Sequence, residues 1–144
     1  MNFEQQQDLE QKQQRLVQAL LEYMRNRTGK GVQLLETHIS WVLLEGHYAY
    51  KIKKAIDLGF LNFSSLQARQ HYCEEEIRLN RRLAPAIYLN VIAVGGSYEF
   101  PQPGAQPALE YAVMMRRFSV LNQLDVLAEE DRLLPGHMDS LAQR

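Results

Sequence analysis

Between Thr28 and Val32 the spacing of apolar residues changes from helical to extended, and this switch constrains the fold more than any other feature of the sequence. Upstream, Leu9, Leu16, Leu20, Tyr23 and Met24 recur at helical spacing while glutamines fill the wet face. Residues 1 to about 27 therefore read as one helix ending at Thr28-Gly29-Lys30-Gly31. Downstream, Val32 to Lys54 is rich in Val, Leu, Ile, Trp and Tyr and is broken at His38-Ile39-Ser40 and Glu45-Gly46-His47, which predicts three short antiparallel strands. Asp57 to Phe63 reads as a loop anchored by Leu58, Phe60, Leu61 and Phe63. A second helix is expected from Ser64 or Ser65, since Ser64 and Gln67 have capping-box spacing, to Leu83, just before Ala84-Pro85. Two more strands, Ile87 to Val94 and Leu109 to Met115, are separated by Gly95-Gly96-Ser97 and a proline-rich stretch from Phe100 to Pro107. Helical pattern resumes at Leu121, breaks at Leu134-Pro135-Gly136, and restarts at His137 without completing another helix.

These elements describe an α+β chain of 144 residues, 46% hydrophobic, which is enough to build a core without disulfides or metal. The single cysteine, Cys73, excludes an internal disulfide and a CxxC zinc site, and suits a reducing cytoplasm. Sixteen Lys and Arg against seventeen Asp and Glu leave a charge of −1, which speaks against a protein devoted to nucleic acid. The Gln-rich start is not a signal peptide, and no apolar run approaches the ~18 residues that a membrane span needs.

Chemistry concentrates in Tyr48-Ala49-Tyr50-Lys51-Ile52-Lys53-Lys54. In a strand Ala49, Lys51 and Lys53 share one face, and Tyr48, Tyr50 and Ile52 share the other. A small residue two positions before a lysine is what an adenine-covering, phosphate-reaching strand requires, although a lysine on a half-exposed strand is otherwise just solvated. The second helix sharpens the choice. At about 100° per residue, Leu66, Cys73 and Ile77 form its apolar stripe with Leu83 at the edge, and Glu76 falls inside that arc while Glu74 and Glu75 point away. A carboxylate on a packing face is costly without a cation, and Lys51 and Lys53 are the nearest on an inward strand face. The alternatives are a rotated helix that lets Glu76 reach its edge, or local satisfaction by Arg69 and Asn80.

The run Leu35 to Leu44, Tyr48 to Lys54, Asp57-Leu58-Gly59-Phe60-Leu61-Asn62-Phe63-Ser64 and Glu74 to Pro85 resembles bacterial aminoglycoside-phosphotransferase-like proteins, which often carry a second, C-terminal P-loop kinase domain. The resemblance covers roughly residues 34 to 120. It implies a protein-kinase-like amino-terminal lobe over residues 32–118, a five-stranded antiparallel sheet with one packed helix, preceded by a helical extension at 1–31 and followed by the start of a second lobe at 119–144. On the same footing, Lys51 is the lysine that holds ATP phosphates, Glu76 the helix glutamate that fixes it, and Ala49 the small residue by the adenine. Met115 stands behind the adenine, and backbone groups of Arg116 and Phe118 are offered to its edge.

Two departures follow. Glu36-Thr37-His38-Ile39-Ser40 holds no glycine where kinases have a Gly-rich turn, leaving Ser40 and His38 as donors. The proton-accepting aspartate and the magnesium-binding groups of such enzymes belong to a carboxy-terminal lobe, and Ser119 to Arg144 carries neither motif. The chain therefore reads as the nucleotide-binding fragment of a small-molecule kinase, inactive alone, whose partners are a nucleotide, the missing lobe and, through the uncovered lobe interface, a second copy. Asp125, Asp131 and Asp139 read as helix-surface or capping residues. The rival reading is a non-catalytic interaction module. His38, His47, His71 and His137 lack partners at metal-ligand spacing, and Arg78, Arg81 and Arg82 read as a solvated face paired with Glu74 and Glu75.

Overall fold

The computed structural model describes residues 3–29 and 31–117. In chain order they form α1 (Phe3–Thr28), β1 (Gln33–Glu36), β2 (Ser40–Glu45), β3 (Tyr48–Lys53), α2 (Leu66–Asn80), β4 (Tyr88–Gly96), β5 (Pro101–Pro103) and β6 (Glu110–Arg116). All six strands join one antiparallel sheet in the order β1-β2-β3-β6-β4-β5.

The predicted change of period is where the first helix gives way to the sheet. α1 stops because Gly29 takes a φ of 86° and its amide donates back to the Arg25 carbonyl at 2.7 Å, a left-handed close that a Cβ would strain. Gly46, at φ 58°, opens the two-residue turn joining β2 to β3, with His47 beside it in that turn.

Alternation along the strands sorts the core into two layers. Trp41, Leu43, Tyr50, Ile52, Val94 and Ala112 face α1, which contributes Leu16, Val17, Leu20, Leu21 and Met24. Val42, Leu44, Ala49, Tyr88, Val113 and Met115 face α2, which contributes Cys73 and Ile77. Every residue of β2 is buried, and a strand buried on both faces needs a layer on each side. The sheet therefore carries two packed helices instead of one, and α1 is a structural layer of the sheet.

Other expectations shift for local reasons. The proline-rich stretch, read as a plain connection, contains β5, the sixth strand; Pro101 and Pro103 are tolerated because β5 is a sheet edge, pairing only with β4. Gly95 on β4 is required there, since a Cβ would lie 2.5 Å from the Ala105 carbonyl oxygen. α2 is capped by Ser65, whose side chain accepts the Ala68 amide at 3.0 Å, and it ends at Asn80, one turn before Leu83. The Leu83 and Ala84 amides both turn back to the Asn80 carbonyl ahead of Pro85, and Leu83 is left 69% exposed. In the connecting loop Phe63 is buried with Ile39 against Leu58 and Leu61, as anchors should be, whereas Phe60 is 72% exposed. Phe118, the helical pattern from Leu121 and the segment 119–144 lie outside the described residues. No helix among the described residues is long and apolar enough to cross a membrane.

Candidate functional site

The face of the sheet under α2 carries charge as well as apolar side chains. Lys51 sits mid-strand between Val42 of β2 and Val113 of β6, and two residues earlier Ala49 pairs directly with Met115. From α2, Glu76 points onto this face. Its Oε2 lies 3.2 Å from Lys51 Nζ and its Oε1 2.8 Å from Lys53 Nζ. The three side chains are 14%, 5% and 4% exposed for Lys51, Lys53 and Glu76, so one buried carboxylate receives two ammonium groups. Burial alone would push the Glu76 carboxyl up. Attraction to Lys51 and Lys53, with their hydrogen bonds, outweighs it and holds the carboxyl below its usual range, so Glu76 is ionised at neutral pH.

Neighbouring polar groups pack the same region. Asn80 Nδ2 donates to the Glu76 carbonyl at 2.8 Å. Its Oδ1, and the hydroxyl of Ser40 opposite Lys53, are buried without a hydrogen-bond partner among the described residues. Cys73, one turn before Glu76, is fully buried, which pushes its thiol up to about 12 and keeps it protonated as a packing group.

A second buried network closes the end of the sheet. Arg69 was an alternative local partner for Glu76; the structure gives its guanidinium to Glu110 instead, Nε to Oε1 at 2.9 Å, while Nη1 donates to the Phe63 and Ser64 carbonyls. Gln13 of α1 donates to Glu110 Oε2 at 3.0 Å and to the Lys53 carbonyl at 2.7 Å, and its oxygen accepts the Ala55 amide at 2.8 Å. The glutamine-rich start, read as a wet face without chemistry, thus supplies an amide that ties α1 to the strand carrying the lysines and to Glu110, which Arg69 of α2 also reaches. Helical spacing held the signal, because Gln13 lies on the stripe of Leu16, Val17, Leu20 and Met24. Burial pushes the Glu110 carboxyl up; Arg69, Gln13 and the Tyr111 amide pull against this without cancelling it.

At the far end of β6, Met115 is 2% exposed and lies opposite both Ala49 and Tyr88. The Arg116 amide, expected to face a ligand, donates to the Ile87 carbonyl at 2.9 Å, and its Nε donates to the Ala86 carbonyl. That amide is spent inside the fold. Lys51, Glu76, Ala49 and Met115 are therefore brought to one face, Arg116 closes the strand at its end, and Phe118 lies outside the described residues.

Remaining candidates resolve into structure. The glycine-free turn before β2 closes on itself, Thr37 Oγ1 accepting the Ser40 amide at 3.0 Å. Arg78 pairs with Glu75, and Arg81 donates to the Tyr88 and Leu89 carbonyls. A cavity of about 280 Å³ lined by Glu36, His38, Trp41 and Lys54 opens beside α1, where Lys54 pairs with Glu36 and lies over the Trp41 ring. Among the described residues no cluster of three His, Cys, Asp or Glu could hold a metal ion.

No family model matches the chain, and no solved structure matches it. Uncharacterized proteins of Mycobacterium bovis and Mycobacterium tuberculosis are each 30% identical to it over 113 residues, 78% of this chain and 21% of theirs. The chain spans about a fifth of the length of these curated relatives.

Proposed function

We propose that this chain is the nucleotide-binding lobe of an aminoglycoside phosphotransferase-like small-molecule kinase. The observation that carries the reading is the buried contact between Lys51 of β3 and Glu76 of α2 at 3.2 Å. In protein-kinase-like enzymes a strand lysine held by a helix glutamate presents an ammonium to the nucleotide phosphates. Glu76 gives Lys51 a fixed direction, and the ionised carboxylate keeps the ammonium charged in a site where burial works against charge. Ala49 and Met115 pair across β3 and β6 on the same face as Lys51, and both are buried there in the core under α2.

The residues present fit a phosphate and not a magnesium ion, since the buried carboxylates among the described residues, Glu76, Glu110 and Glu45, are already committed to Lys51, Lys53, Arg69 and Arg27. ATP, when bound, supplies the phosphoryl group; Lys51 neutralises its phosphates and Glu76 orients Lys51. The proton-accepting aspartate and the magnesium ligands are assigned to a carboxy-terminal lobe of a longer parent, and relatives about five times the length of the aligned segment have room for one.

Calorimetric titration of the full-length parent with ATP tests the reading. Lys51→Ala is expected to weaken binding by about tenfold or more, on the order of 1.4 kcal/mol. Unchanged binding moves the assignment to a non-catalytic association module.

A further inference from the structure

Glu76 receives two lysines from one strand face, and they are not equivalent. Lys53 is the closer, at 2.8 Å against 3.2 Å, and its side chain is 5% exposed against 14% for Lys51. Lys53 is also held from other sides: its carbonyl accepts Gln13 Nε2 at 2.7 Å, and its ammonium lies 5.6 Å from the centre of the Phe63 ring. Lys51 sits two residues further from that clamp, towards Ala49 and Met115.

A carboxylate gripped through one oxygen still turns about its terminal torsion, which has broad preferences. A second charged donor on the other oxygen removes that freedom. It also keeps a cation beside Glu76 when the first ammonium shares itself with another anion. We infer that Lys53 is a positioning residue, holding Glu76 Oε1 so that Oε2 orients Lys51, which is the ammonium that meets a phosphate. The inference rests on the nucleotide reading above and adds a division of labour within it.

An acyl-phosphate derivative of ATP, which acylates the lysine amine nearest the phosphates, tests this on the full-length protein, with mass spectrometry locating the label and ATP as competitor. ATP-competed labelling is expected at Lys51 and not at Lys53. Lys53→Met is expected to lower both Lys51 labelling and ATP affinity by about tenfold, and Lys53→Arg, which keeps a charged donor, to recover most of it. A general loss of folding would not be selectively rescued in this way, and thermal melting checks that the variants fold. If Lys53→Met does not fold, the labelled position in the unmodified protein and the Lys53→Arg affinity decide. Label on Lys53 in place of Lys51, or Lys53→Met binding ATP as the unmodified protein does, overturns the inference. Absence of ATP-competed label at either lysine overturns the nucleotide reading itself.

Discussion

α1 lays Leu16, Val17, Leu20, Leu21 and Met24 on one face of the sheet, whereas α2 lays Arg69, Cys73, Glu76, Ile77 and Asn80 on the other. The same strands serve both helices, so the contrast lies in what each helix brings. On the α1 side the attraction is removal of apolar surface from water, which is non-directional and tolerant of small shifts. On the α2 side much of the contact is between charged groups in a dry setting, where a carboxylate is tolerable only at the right distance from its ammonium groups. Replacing such a cluster by apolar residues is often neutral or stabilising, so stability alone does not account for it. A fold that keeps three charges buried together at Lys51, Lys53 and Glu76 invites a chemical explanation, and that asymmetry motivates the nucleotide reading.

The contrast can be broken by mutation. Glu76→Ala, which strands two ammonium groups under α2, is expected to cost about 4 kcal/mol in urea unfolding. Leu20→Ala on the α1 face leaves only a cavity and is expected to cost about 3 kcal/mol. A loss at Glu76 far below that at Leu20 would mean that the α2 face does not depend on its buried charges. Gln13→Ala sharpens the comparison, because Gln13 reaches from α1 to the Lys53 carbonyl and Glu110; leaving those groups unpaired is expected to cost about 2 kcal/mol by the same measurement.

Acid titration gives the smallest and most selective effect. Glu76 has a lowered carboxyl pKa, so its contribution is present at neutral pH and above its unfolded value, about 4.3, and is lost as pH falls through the lower folded value. Glu110 has the opposite sign: its raised pKa means that ionisation works against the fold, and this penalty is relieved as pH falls through its folded value. Urea unfolding of Glu76→Gln and Glu110→Gln from pH 7 down to about pH 3.5 is therefore expected to show stability differences from the unmodified protein that change in opposite directions. Parallel profiles would contradict the assigned electrostatics.

Legibility in the sequence followed the range of the interaction concerned. The first helix and the β2–β3 hairpin rest on neighbours a few residues apart and are readable from spacing, whereas the capping-box spacing marks Ser64 and the cap forms at Ser65. The meeting of Lys51 and Glu76 was also readable, because two local periodicities each turn a charge inward and buried opposite charges must find each other. Arg69 with Glu110 escaped the same logic: Glu110 stands at the start of β6, and no local pattern marked it as buried. β5 was hidden by its prolines, which only an edge position tolerates, and the early end of α2 was set by how the chain folds back at Ala84 and Pro85.

From the order of its residues alone, the chain determines its helices and most of its strands, and which side chains of β3 and α2 turn towards a common interior, because backbone geometry assigns direction at every step. Only the assembled molecule decides that α1 covers the opposite face, that Gln13 and Arg69 converge on Glu110, and that Lys51 and Lys53 divide a single carboxylate between them. Those choices depend on distances between segments far apart in the chain, which packing sets and local spacing does not encode.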